Sequence, residues 1–199
     1  MKRKLLLGSG VAGVSLLLAA SPALAQDADD PSVYLQAVMD NLWVFIAGIL
    51  VFFMQAGFAL VEAGLTRSKN VANIMAKNIA DMCIGVLAFY AVGYAFAYGD
   101  GGGWFIGGNS YFLSGSSLFE ITEGLSGATD FFFQVVFAAT AVTIASGAMA
   151  GRTKFSAYLM FAGLMTAFIY PVVVHWTWGG GLIAKFNREV DGWDIWGDA

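Results

Sequence analysis

The chain has 199 residues, of which 58% are hydrophobic and only 12% charged, with a formal net charge of -4. A soluble domain is about one-quarter charged, so this balance points to a bilayer as solvent, and the sparse Lys and Arg give no basic footprint for nucleic acid. Cys83 is the single cysteine, which excludes an intrachain disulfide and a cysteine-based metal site; in its apolar run it reads as a small buried packing residue.

In chain order, Lys2-Arg3-Lys4 is a positive leader, Leu5 to Ala19 is apolar, and Ala23-Leu24-Ala25 is a small-x-small cleavage site before Gln26. Residues 1–25 therefore read as a secretory signal peptide, the alternative being an uncleaved membrane helix for which the apolar run is short. Residues 26–199 then form the mature part. After the acidic stretch Asp27-Ala28-Asp29-Asp30, the run from Leu42 to Ala63 is long enough to cross about 30 Å of hydrocarbon as a helix. A polar connection, Leu65 to Asn70, leads to a second run from Val71 to Tyr98, whose Asn73, Lys77, Asn78 and Asp81 are expected at the membrane interface.

A Gly- and Ser-rich stretch from Asp100 to Asp130 has turn chemistry and no helical period. The third predicted span covers Phe131 to Ala150, a polar turn follows at Gly151-Arg152-Thr153-Lys154, and the fourth covers Phe155 to Val174. Residues 179–199 are again polar, with Gly179-Gly180-Gly181 reading as a turn that leaves the membrane. Thr143, Gly147 and Gly151, spaced by four, would let a second helix approach closely. The expected fold is thus all-α, a polytopic transmembrane bundle of four spans.

Charge placement gives the orientation. Arg67, Lys69 and Lys77 flank the first turn and Arg152 and Lys154 the second, whereas the 100–130 loop has only acids, Asp100, Glu120, Glu123 and Asp130. Basic short turns are cytoplasmic by the positive-inside rule, which agrees with a mature N-terminus outside the cytoplasmic membrane. Lys185 and Arg188 fall outside, accompanied by four acids.

Nothing in the chain assembles catalysis: His175 is the only histidine, and Gly179-Gly180-Gly181 lacks the residues of a phosphate loop. An enzyme is not expected, and neither a cofactor nor a metal is implied. Phe133 and Phe137 lie one turn apart on one side of the third span, and Trp178 leaves the fourth at similar depth. Such rings can hold a small cation on their faces; they can equally anchor the chain at the lipid interface. Glu62 and Asp81 are carboxylates near membrane depth, and pairing with Arg67 or Lys77, or capping a neighbouring helix, is the role expected of them.

The order of the residues says more than their types. Phe53-Met54-Gln55-Ala56-Gly57-Phe58-Ala59-Leu60-Val61-Glu62-Ala63-Gly64, running into Arg67-Ser68-Lys69-Asn70, resembles the first helix and turn of the Amt/Mep/Rh ammonium transporter family. Phe133-Gln134-Val135-Val136-Phe137-Ala138, Ser146 to Arg152 with Lys154-Phe155-Ser156-Ala157, and Tyr170-Pro171 leading to His175-Trp176-Thr177-Trp178-Gly179-Gly180-Gly181 are similar to further stretches of that family. The resemblance implies that Phe137 is an outer-gate phenylalanine, Trp178 the tryptophan of an external ammonium-recruiting cage, and Phe133 its aromatic neighbour. It implies ammonium, with methylammonium as analogue, recruited as the cation, deprotonated, and conducted as ammonia.

Eleven helices, a homotrimer with one pore per subunit and a cytoplasmic nitrogen-regulatory partner of the PII type also follow from the resemblance. His175 matches a position before the cage tryptophan and is not one of the family's paired pore histidines, which would fall beyond Ala199. The chain is therefore expected to be an N-terminal portion of the fold that cannot enclose a pore alone. Two other readings stay open: a transporter-like sensing module of a signalling protein, and a non-conducting fragment.

Overall fold

The structure is a computed structural model that describes residues 31–114 and 124–184. The leader, the acidic stretch before Pro31, Glu120, Glu123 and the charged residues from Lys185 onward lie outside them. The described residues form helices joined by turns, and four helical runs are long and apolar enough to cross a membrane.

The first run is α1, Pro31–Leu65. It starts well before the expected Leu42, because the residues from Pro31 to Asn41 contain no glycine or internal proline to break a helix. At 35 residues it is about 52 Å long by the 1.5 Å rise per residue and overhangs the hydrocarbon. A 3-10 turn, Ser68–Asn70, is closed by Asn70 N donating to Arg67 O at 2.8 Å and leads into α2, Val71–Ala88. A π turn, Phe89–Gly93, joins α2 to α3, Tyr94–Tyr98, in one continuous run.

The third run is α4, Gly127–Met149. It starts four residues before the expected Phe131 because Ser126 caps it: the Ser126 hydroxyl accepts from Thr129 N at 3.2 Å, and Asp130 in the first turn meets the positive end of the helix dipole. Gly151, at φ +70°, stands in the left-handed position that ends the helix. Of the three small residues aligned by the sequence, Thr143 and Gly147 are therefore on the helix and Gly151 is beyond it. The fourth run consists of α5, Phe155–Leu164, a π turn, Met165–Ile169, and α6, Tyr170–Thr177. That π turn has a local cause, since Pro171 lacks an N–H and its ring would clash with the carbonyl of Ala167 in a regular helix.

The two π turns face each other. A methyl group on Gly93 would collide with the Thr166 carbonyl and the Phe89 ring, so glycine is what lets the second and fourth runs meet there. Phe89, Tyr94, Leu113, Val135, Val136 and Ala138 pack together at the end bearing the long loop. Val142, Tyr158 and Ala162 form a second cluster toward the short turns. In lipid, such packing stabilises by van der Waals contact and polar bonds rather than by expelling water.

Two expectations fail and one holds in part. Lys77, Asn78 and Asp81 are buried between helices instead of lying at the interface; with Ile74 and Gly85 they form one stripe of α2 that the helical period turns inward. Of the pairings expected of Glu62 and Asp81, Lys77 acts on Asp81 through its charge without a hydrogen bond; Arg67 is exposed, and both carboxyls take hydroxyl donors from other helices. Cys83 is exposed, because it lies on the opposite face of α2 from that stripe.

Candidate functional site

The long-loop end is built from backbone carbonyls and aromatic rings. Gly107 N donates to Phe96 O at 2.9 Å and Gly108 N to Gly99 O at 3.2 Å, which folds the loop back on α3. His175, buried at the end of α6, has Nδ1 2.9 Å from Ala97 O and Nε2 2.9 Å from Gly103 O. Trp176 Nε1 donates to Phe105 O at 2.9 Å, and the Trp176 ring lies 5.5 Å from that of Phe105. One turn of α6 thus clamps both α3 and the loop. Gly181 N donates to His175 O at 2.9 Å and Gly180 takes φ +78°, so the three glycines turn the chain as expected. A methyl group on Gly179 would collide with Ala97 O.

This clamp fixes where Trp178 stands, immediately after α6 and 58% exposed. Phe133 and Phe137 are on α4, whose loop end is held by two further ties. Asn41 of α1 accepts from Ser126 N at 2.8 Å and donates to Gly124 O at 2.9 Å. Tyr94 of α3 donates to Asp130 at 2.5 Å. The Phe133 and Phe137 rings stand 5.0 Å apart, inclined by 67°, an edge-to-face contact of the favoured kind. Phe137 is 36% exposed and Phe133 is partly buried, so Phe137 presents ring surface outward from α4.

Phe131 and Phe132 point elsewhere. They line a cavity of about 220 Å³ between α1, α2 and α4, with Gln55, Met82, Val136 and Thr140 among its walls. The helix therefore separates two aromatic sets: Phe131 and Phe132, partly buried against the neighbouring helices, and Phe133 with Phe137 on the other side, the pair singled out by sequence. Sequence reasoning missed the ties themselves: Asn41, Tyr94 with Asp130, and the clamp by His175 and Trp176. Asn41 alone gave a signal, as an amide in the first turns of an apolar run.

No group of three or more His, Cys, Asp and Glu suited to a metal occurs among the described residues. Among the described residues this end offers ring faces, backbone carbonyls and the Asp130 carboxyl, and ring faces in general attract small cations through their quadrupole.

Length, hydropathy and antiparallel connection of the four runs define a polytopic helical membrane protein. The Ammonium Transporter Family matches residues 42–192, and the chain belongs to that family. Ammonium transporter Amt2 of Archaeoglobus fulgidus is 44% identical over 179 residues, which is 86% of this chain and 36% of the relative. Putative ammonium transporter 1 of Caenorhabditis elegans is 47% identical over 151 residues, 74% of this chain and 27% of the relative. Among solved structures, the Sensor Amt Protein aligns with a TM-score of 0.71 at 35% identity, over 76% of this chain and 38% of that one. Mep2 of Candida albicans aligns with a TM-score of 0.66 at 22% identity, over 74% and 33%, a likeness of fold. The chain thus spans roughly a third of the length of its curated relatives.

Proposed function

We propose that this chain is the part of an ammonium transporter that recruits the cation at the outer face, through Phe133, Phe137 and Trp178. The observation that carries the proposal is the Phe133–Phe137 ring pair on α4, with Phe137 facing outward, set at the same end of the bundle as exposed Trp178. Ammonium docks on the ring faces, which offset part of the water it sheds. It gives up its proton on entry, and the nitrogen continues as ammonia, because a bare cation in an apolar passage faces a large desolvation cost.

The long-loop end faces outward in this reading and the short turns face the cytoplasm. Arg67, Lys69, Arg152 and Lys154 are exposed on those turns, which supports it; Lys77, being buried, no longer counts as a topological charge. Residues 1–25 act as a signal peptide, the protein resides in the inner membrane, the complete form is a homotrimer, and a PII-type regulator docks on the cytoplasmic side. A second reading draws on the likeness to the Sensor Amt Protein: a module that senses ammonium and passes the signal to a further domain.

Methylammonium uptake by cells lacking their own transporter tests the assignment, comparing this chain with a version extended through the remaining helices of the family domain. The extended form is expected to transport and its Trp178→Leu variant to need more substrate for half-saturation. Unchanged uptake at low substrate in that variant sinks the cage. Binding without uptake in the extended form favours the sensor.

A further inference from the structure

The short-turn end contains a group of side chains that recruitment does not use. Glu62 of α1, Lys77, Asn78 and Asp81 of α2, Ser146 of α4 and Tyr158 of α5 meet there, all buried: Glu62 is 7% exposed, Asn78 4% and the rest 0%. Ser146 donates to Glu62 Oε2 at 3.0 Å and Asn78 Nδ2 reaches the same oxygen at 3.4 Å. Tyr158 donates to Asp81 Oδ2 at 2.5 Å, Ser146 lies beside the Tyr158 hydroxyl, and Glu62 and Lys77 both act on Asp81 electrostatically. Four helices are joined through one polar junction.

Its hydrogen bonds do not close among the described residues. Glu62 Oε1, Asn78 Oδ1, Asp81 Oδ1 and Lys77 Nζ are buried and have no hydrogen-bond partner among them. The Lys77 ammonium stands 4.5 Å from the centre of the Tyr158 ring, a contact that leaves its three N–H donors unmet. Burying charged groups in that condition is strongly unfavourable. A guest must therefore both accept and donate: an anion would meet two carboxyls, and a cation would meet the lysine. Beside Glu62 there is room for a small group, since a methyl group built on Gly147 would touch Glu62 atoms, Oε1 included, at ordinary contact distances of 3.9–4.0 Å.

We propose that this junction is an internal water site, in which ordered water accepts from Lys77 Nζ and donates to the free oxygens of Glu62 and Asp81. Water fits because it bridges two to four polar groups in a polar site with room for it. The charged set is then retained at membrane depth as a bolt across the ends of four helices, whatever the outer end recruits.

Radiolytic hydroxyl-radical footprinting of the membrane-embedded protein tests this, because bound water generates the radical beside buried side chains. Tyr158 and Phe89 are both fully buried rings, but Phe89 sits in an apolar cluster. Tyr158 is expected to be labelled several-fold faster than Phe89, and that excess to be lost in Lys77→Met. Equal labelling of the two rings in the unmodified protein would overturn the proposal, as would an undiminished excess in a folded Lys77→Met variant. Should that variant fail to fold, the comparison within the unmodified protein decides alone.

Discussion

At the long-loop end of the bundle Tyr94 donates to Asp130 at 2.5 Å, and at the short-turn end Tyr158 donates to Asp81 at the same distance. The bonds match; their surroundings do not. Asp130 is partly exposed in the first turn of α4, where the helix dipole favours its charge. Asp81 is fully buried in mid-helix, with a lysine nearby and its other oxygen unmet. One acid is stabilised by its place on a helix and access to the surface. The other depends on what the neighbouring helices bring, so the short-turn end should be far less tolerant of change.

Substitution can break that comparison, and the largest effect is expected at Asp81. Asp81→Leu strands Lys77 and removes the acceptor of Tyr158, at about 3 kcal/mol of stability, whereas Asp130→Asn keeps an oxygen for Tyr94 and costs about 1 kcal/mol. Unfolding of the two variants in the same detergent measures the difference, and equal losses would abolish the distinction. Next, His175→Ala removes the ring that stands between Ala97 O and Gly103 O, the neutral imidazole donating its single N–H to one of them, and should cost about 1 kcal/mol, read as faster proteolysis of the 99–110 loop while the short turns stay protected.

Phe133→Leu should raise the methylammonium concentration for half-maximal uptake about threefold in the extended protein, the loss of one weak ring contact. Phe131→Leu, in the ring set facing away, should leave it unchanged. The smallest effect belongs to Cys83→Ser: on its exposed face it should shift stability by no more than about 0.5 kcal/mol, and a larger loss would mean that another segment covers this face.

Much of this was legible in advance. Apolar runs gave four spans because hydropathy reads length in a bilayer directly, and the ordered motifs gave the family. The boundaries were less legible, since the Ser126 cap and the extension of α1 to Pro31 depend on residues too polar to count as membrane. Phe133 and Phe137 could be paired from their spacing alone. The burial of Lys77 and Asp81 could not be inferred from hydropathy, which treats every charge as a reason to leave the membrane, although their three- and four-residue spacing with Ile74 and Gly85 carried the information. The clamp by His175 was hidden because its partners are backbone carbonyls, which no residue letter records.

The first run carries a further consequence. Only 6% of its most apolar window is buried, against 44% for α4, yet three of its polar side chains reach to the third run or its approach. Asn41 bonds at Gly124 and Ser126, Gln55 donates to Thr143 at 2.8 Å, and Glu62 accepts from Ser146. Glu62 already meets Asn78 of α2, but the bonds from Asn41 and Gln55 reach partners more than eighty residues further along the chain. The depth and rotation of a lipid-facing helix are thus set by polar ties to α4 rather than by its own apolar surface.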